Sequence, residues 1–261
     1  MATHLLRQDS PIIHSIRALL PRHKVVSVPT TLLASIQPSS ETPQSTHPPD
    51  HKHFSTSSTT MASTKPFFAA VESRRTIYPL KNESPISDER IKEIVTMAVK
   101  HAPSAFNSQT GRVVVVLKKE HVRLWEAIME VYKAMLPEDK YNGAKQRFDM
   151  FKAAYGTVLF YEDTSNVREF QEKFKAYEDK FPQWSEQSNG MIQYIIWTGL
   201  AAEGMGVNLQ HYNPPIDKRL ETEFNVPETW SLKAQMVFGT PLGPPKEKEQ
   251  KPIDARMKVF E

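Results

Sequence analysis

The sequence predicts an α+β protein, and three observations carry that prediction. Residues 112–117 form an unbroken β-branched run, Arg112-Val113-Val114-Val115-Val116-Leu117, which reads as a strand covered on both faces and central to its sheet. Apolar residues at helical spacing recur in at least three other stretches. Those helices are grouped rather than strictly alternating with strands, so a doubly wound sheet is disfavoured.

Taken in order, residues 65–75 read as a short helix ending in a basic pair, followed by the turn-like Tyr78-Pro79. Ser87-Asp88-Glu89 opens the next helix: Ser87 can cap it, the acids suit its positive end and Ile86 can staple onto Ile91. Ile91, Ile94, Val95 and Ala98 then give one apolar stripe. The helix must stop near Ala102, because the residue before Pro103 avoids helical dihedrals. Val122, Trp125, Ile128, Met129 and Tyr132 mark a further helix, and Thr157-Val158-Leu159-Phe160-Tyr161 a second buried strand. Residues 187–205 are apolar nearly all round, which predicts a helix buried at the centre of something larger than one sheet-packed layer; a subunit contact would account for it. Residues 232–238 give another strand, ending at Gly239-Thr240-Pro241, and the chain closes with a Pro/Lys-rich stretch and a short apolar end.

Composition excludes several functions. The 261 residues include 33 basic and 30 acidic side chains and no cysteine. Residues 1–60 hold 5 of the bases and 3 of the acids, leaving 28 against 27 in the remaining 201. Such a balance offers no excess charge for displacing counterions from phosphates, so no nucleic-acid partner is expected. Without cysteine there is no disulfide, thiolate metal site, iron–sulfur cluster or cysteine nucleophile. The longest apolar candidate, 191–202, is broken by Gln193, Thr198 and Gly199, so no membrane span is expected.

Residues 1–60 contain 10 Ser, 8 Thr and 7 Pro with no glycine, and are expected to be a disordered segment preceding one domain over 61–261. Arg7, Arg17, Arg22 and Lys24 face the single acid Asp9 in the first 40 residues, the composition of a mitochondrial presequence. Lys52-His53-Phe54-Ser55 resembles a matrix-peptidase site. A plain spacer fits too, as does a start at Met61, which would leave the protein in cytoplasm and nucleus. His47, His51 and His53 lack the held geometry that a metal site needs.

The signatures of phosphate-loop, zincin, nucleophile-elbow and dinucleotide-binding proteins are missing; Gly204-Met205-Gly206 follows a helix rather than a strand. Three polar constellations remain. Ser73-Arg74-Arg75-Thr76 is either a receptor for a phosphate dianion or a solvated basic pair at a helix end. Ser104-Ala105-Phe106-Asn107-Ser108-Gln109 offers amides matched to the alternating acceptors and donor of a flavin pyrimidine edge, or is an ordinary helix-to-strand turn. The tail Lys246-Glu247-Lys248-Glu249-Gln250-Lys251 alone reads as a solvated loop.

Together with Gly206-Val207-Asn208-Leu209-Gln210-His211-Tyr212-Asn213-Pro214 and Lys251-Pro252-Ile253-Asp254-Ala255-Arg256, these segments resemble the nitroreductase family of flavoproteins, and within it a fungal and bacterial subgroup associated with oxidative stress and fatty-acid signalling. The resemblance runs from about Phe67 to Phe260. It implies a three-layer fold, a homodimer with FMN at the subunit interface, and a C-terminal strand exchanged onto the partner's sheet. By matching positions it implies that Arg74, Arg75, Thr76 and Lys251 hold the FMN phosphate. Ser104, Asn107 and Gln109 would reach the flavin from the other chain, and the Gln210 and His211 backbone would face the ring. NADH or NADPH would reduce the flavin, and a small-molecule acceptor such as a nitroaromatic or quinone would reoxidise it. That chemistry belongs to the cofactor, so no catalytic side chain is nominated. Many relatives carry a Lys or Arg where Tyr78 stands; its loss leaves ring stabilisation to amides or another cation, and keeps open a low-turnover flavin- or lipid-responsive regulator.

Overall fold

The computed structural model describes residues 65–261. The presequence reading and the three N-terminal histidines fall outside the described residues. The described elements in order are α1 (Phe67–Ser73), β1 (Leu80–Lys81), α2 (Asp88–His101), β2 (Gly111–Leu117), α3 (Lys119–Met135), α4 (Glu138–Lys152), β3 (Gly156–Asp163), α5 (Thr164–Lys173), α6 (Phe181–Ala202), β4 (Gly206–Gln210), α7 (Asp217–Phe224) and β5 (Trp230–Pro241). The class is α+β, as expected.

Five strands make one antiparallel sheet in the order β2-β3-β5, with β4 and β1 end to end along the far side of β5. Gly111 lies opposite Glu162 and Leu117 opposite Gly156. Gly156 in turn faces Phe238, and Gln210 faces Gln235.

The period of two along β3 feeds two cores. Leu159 and Tyr161 join Trp125, Ile128, Phe148, Phe151 and Leu220 beneath α3, α4 and α7. Val158 and Phe160 join Ile91, Val95, Ala98, Ile192, Ile196 and Leu200 beneath α2 and α6. Helices thus cover both faces, giving three layers, with each fully buried Leu or Ile worth about 1.5–3 kcal/mol. The stripe expected on α2 is buried at all four positions, and the Ser87 hydroxyl accepts from the Arg90 N–H at 3.1 Å.

Two expectations need correction. β2 is not central: among the described strands it pairs with β3 alone and forms an edge. Nor is it fully covered: Val116 is buried but Val113, Val114 and Val115 are half-buried, packed against the two cores, and such packing is independent of hydrogen bonding at the edges. α6 is not buried all round within its own chain: Ile192, Ile196 and Leu200 are, but Met191, Tyr194 and Ile195 stand 38%, 39% and 37% exposed. Beyond β5 the tail pairs with none of the described strands, and Phe260 is 90% exposed. No described helix is long and apolar enough to cross a membrane.

Candidate functional site

The first part of the site is built where α1 gives way to extended chain. Thr76 bridges Val207 in parallel, the Ile77 N–H donates to the Val207 carbonyl at 3.0 Å, and the fully buried Asn208 donates its amide to the Ile77 carbonyl at 3.0 Å. Gln210 donates to Asn208 Oδ1 at 2.8 Å, so Asn208 ties the strand end to the Thr76 segment. Two residues further on, Tyr212 is fixed by its N–H to Gln235 Oε1 at 2.8 Å and by Tyr132, whose hydroxyl donates to its carbonyl at 3.1 Å. Burial pushes the Tyr212 phenol up to about 12, with the nearby Arg147 charge opposing.

These segments enclose a cavity of about 530 Å³ lined by Thr76, Ile77, Tyr78, Pro79, Arg147, Met150, Gln210, Pro244, Pro245 and Lys246. That size suits a small-molecule or cofactor site. The lining holds two cations and no carboxylate, together with the hydroxyls of Thr76 and Tyr78, an amide and apolar walls. The Leu242 N–H donates to the Pro79 carbonyl at 3.0 Å, and Arg75 donates to the Lys246 carbonyl, so the tail folds back over this corner. The donor set fits a ligand with a phosphate at one end and a flat polar ring at the other, as FMN has.

Of the residues expected from sequence, Thr76 and Gln210 line the cavity and Arg75 binds one of its walls. Arg74 instead lays its guanidinium over the Trp197 ring at 4.6 Å from the centroid. His211 is exposed beside the cavity, and Lys251 lies in the exposed tail beyond it.

The second part is the loop between α2 and β2. Phe106, Asn107 and Gln109 all have left-handed backbone, with φ of 54°, 53° and 47°. For a bulky residue such as Phe this is strained, and strain of this kind clusters at ligand-binding sites. Packing holds it: the Phe106 ring lies 4.5 Å from Phe174 and 5.6 Å from Phe181, while Ser104 Oγ accepts from the Gln109 N–H at 3.0 Å. Ser104 also lines a small cleft with Gln187, Ser188 and Met191 of α6.

Within one chain the two parts do not meet. The loop precedes Gly111 at the outer edge of β2, whereas Thr76 adjoins β4 across β3 and β5, at the opposite end of the strands. Helix α6 gives the scale: Ser185 shares a 2.7 Å hydrogen bond with Thr110 near the loop, and Trp197 sits under Arg74. Twelve helical residues separate those contacts by about 18 Å.

Sequence reasoning missed Arg147 and Met150. They sit on α4, whose Tyr141, Phe148 and Phe151 are buried but spaced too widely to announce the helix. A second cavity, about 460 Å³, lies between α6 and the start of β5. There burial pushes Asp217 up to about 6, and Lys233 stands 3.3 Å from the buried Glu162.

The sequence model of the Nitroreductase family matches residues 71–240. The nitroreductase FRM2 of Saccharomyces cerevisiae is 33% identical over 190 residues, which are 72% of this chain and 94% of FRM2. The nitroreductase CinD of Lactococcus lactis, solved with nicotinic acid and with 4-nitrophenol, is 42% identical, with TM-scores of 0.69 and 0.68, covering 75% of this chain and all of CinD. A nitroreductase of Desulfitobacterium hafniense with bound FMN shares the fold at 18% identity and a TM-score of 0.54, over 74% of this chain and 97% of its own.

Proposed function

The chain belongs to the nitroreductase family, and on that premise we propose that it is an FMN-dependent oxidoreductase drawing electrons from NADH or NADPH and delivering them to nitroaromatic or quinone-type acceptors. The observation that carries this reading is the carboxylate-free cavity bounded by Thr76, Tyr78, Arg147 and Gln210, with Arg75 at its wall. Arg75, Thr76 and, from the tail, Lys251 hold the phosphate, with Arg74 adding charge from its perch on Trp197. The Gln210 and His211 backbone faces the ring. FMN, when bound, supplies the electron chemistry; the side chains bind, orient and exclude water. CinD's complexes with 4-nitrophenol and nicotinic acid support small flat aromatics as the molecules that meet the ring.

The complete site is shared by two copies of the chain. Ser104, Asn107 and Gln109 lie too far from Arg75 in their own chain to touch one small ligand, so a second copy supplies them. The stripe of Met191, Tyr194 and Ile195 on α6 is the surface on which such a copy packs, and the open edge of β2 is where its C-terminal residues add a strand.

Visible spectroscopy of the purified protein, then anaerobic addition of NADH or NADPH, tests the proposal. A yellow protein bleached by either nicotinamide supports it. A preparation that is colourless once it has been incubated with FMN and freed of unbound flavin by desalting refutes it, and a yellow one that neither nicotinamide bleaches leaves a flavin-binding regulator instead.

A further inference from the structure

Resting on that FMN reading, we infer that Arg147 of α4, which lines the cavity beside Tyr78 and Gln210, is the cation that sets the reduction potential of the bound flavin. Adding electrons to a flavin places negative charge on its pyrimidine half, so a cation held there favours the reduced form over the oxidised one. The effect grows when a ligand displaces water from between the charges.

Two cations line this cavity, and their positions separate their roles. The Lys246 main chain accepts from Arg75, which puts Lys246 at the phosphate end. Arg147 enters from α4, whose Phe151 ring lies 6.4 Å from the Tyr78 ring and 6.2 Å from the Tyr212 ring, which places this helix at the Tyr78 side of the cavity. Its charge also acts on the Tyr212 phenol, two residues beyond Gln210. Met150, one helical turn after Arg147, lines the same cavity, so α4 turns this face inward. Arg90, Arg112, Arg123 and Arg219 are each paired with carboxylates, whereas Arg147 has no ion pair among the described residues. Its guanidinium is therefore available to a ligand. Tyr78 brings a ring to this end of the cavity and not a cation, so the positive charge there comes from Arg147.

The test compares full-length FMN-loaded wild type with Arg147→Gln and Arg147→Lys, measuring the flavin potential anaerobically against reference dyes and the affinity for oxidised FMN by titration. Arg147→Gln is expected to keep its FMN and to lose about 10-fold in preference for the reduced form. For a two-electron couple that is about 30 mV more negative. Arg147→Lys should recover most of the shift, and Lys140→Gln, on the same helix, should show none. An unchanged potential in fully loaded Arg147→Gln overturns the inference and leaves the cofactor reading standing. So does loss of FMN from that variant, which would make Arg147 a binding residue. Wild type that takes up no FMN sinks the cofactor reading and this inference with it.

Discussion

The Arg75 guanidinium donates to the main-chain carbonyl of Lys246, 171 positions further along the chain. That contact closes the basic corner by holding the tail at Lys246 against Arg75. It also distinguishes two neighbours that the sequence could not rank, since Arg74 spends its charge on the face of Trp197.

Arg75→Ala is accordingly expected to weaken FMN binding by about 10-fold or more, from loss of a charge-assisted hydrogen bond worth about 1.5–3 kcal/mol. Arg74→Ala should cost less. Flavin titration of the two apoproteins gives the comparison, and equal affinity of Arg75→Ala and wild type would remove Arg75 from the phosphate site.

Ile195→Asp places a charge in the exposed stripe of α6. We predict that sedimentation velocity will show a monomer that no longer retains FMN, because a site shared by two chains cannot survive their separation. A variant that is monomeric yet fully yellow would show the site to be complete in one chain.

Glycines report where the backbone is crowded. A Cβ on Gly239 would collide with the Lys81 carbonyl and lie 3.0 Å from the Tyr155 amide nitrogen, both main-chain atoms that cannot swing away. Gly239→Ala should therefore destabilise the fold by about 1–3 kcal/mol in urea denaturation. On α4, a Cβ on Gly143 meets nothing within 4 Å. Gly143→Ala should stabilise by up to about 1 kcal/mol, since alanine restricts the unfolded chain and suits a helix. Matching signs for the two variants would contradict this account.

His121 is fully buried, with Nε2 at 3.0 Å from the Phe151 carbonyl and Nδ1 at 2.9 Å from the Thr157 hydroxyl. A carbonyl only accepts, so Nε2 carries the proton; Nδ1 then accepts from Thr157, whose oxygen accepts from the Trp125 indole at 3.1 Å. Burial pushes the imidazole down to about 4 from its ordinary 6.5. The unfolded chain thus binds the extra proton first. Stability from this group is complete above about 6.5 and is lost as pH falls towards 4, by about 3 kcal/mol in all. Urea midpoints measured across that window should fall in wild type and flatten in His121→Asn. An identical slope in both would clear His121 of the effect.

Much of the fold was legible along the chain. Ser87 and the Ile91, Ile94, Val95 and Ala98 stripe fixed α2, and the apolar run of β3 announced a strand buried on both faces. The glycine-to-proline segment around Gln210 and the Ser73-Arg74-Arg75-Thr76 motif marked the cavity before it had walls. Periodicity and caps work because they report the environment of a side chain over one or two turns, and those environments follow from neighbours in sequence. Nothing local told whether the valine strand had neighbours on both sides, since its side chains pack against both cores whether or not its edge is paired. Nor did anything local bring Arg147 to Tyr78, or separate the Asn107 loop from Arg75. Those placements come from the strand registers around β5, which join residues from opposite ends of the domain through hydrogen bonds that no short window contains. Sequence determined the chemistry available to the site; only long-range pairing decided which of those groups share one cavity and which lie apart in the chain.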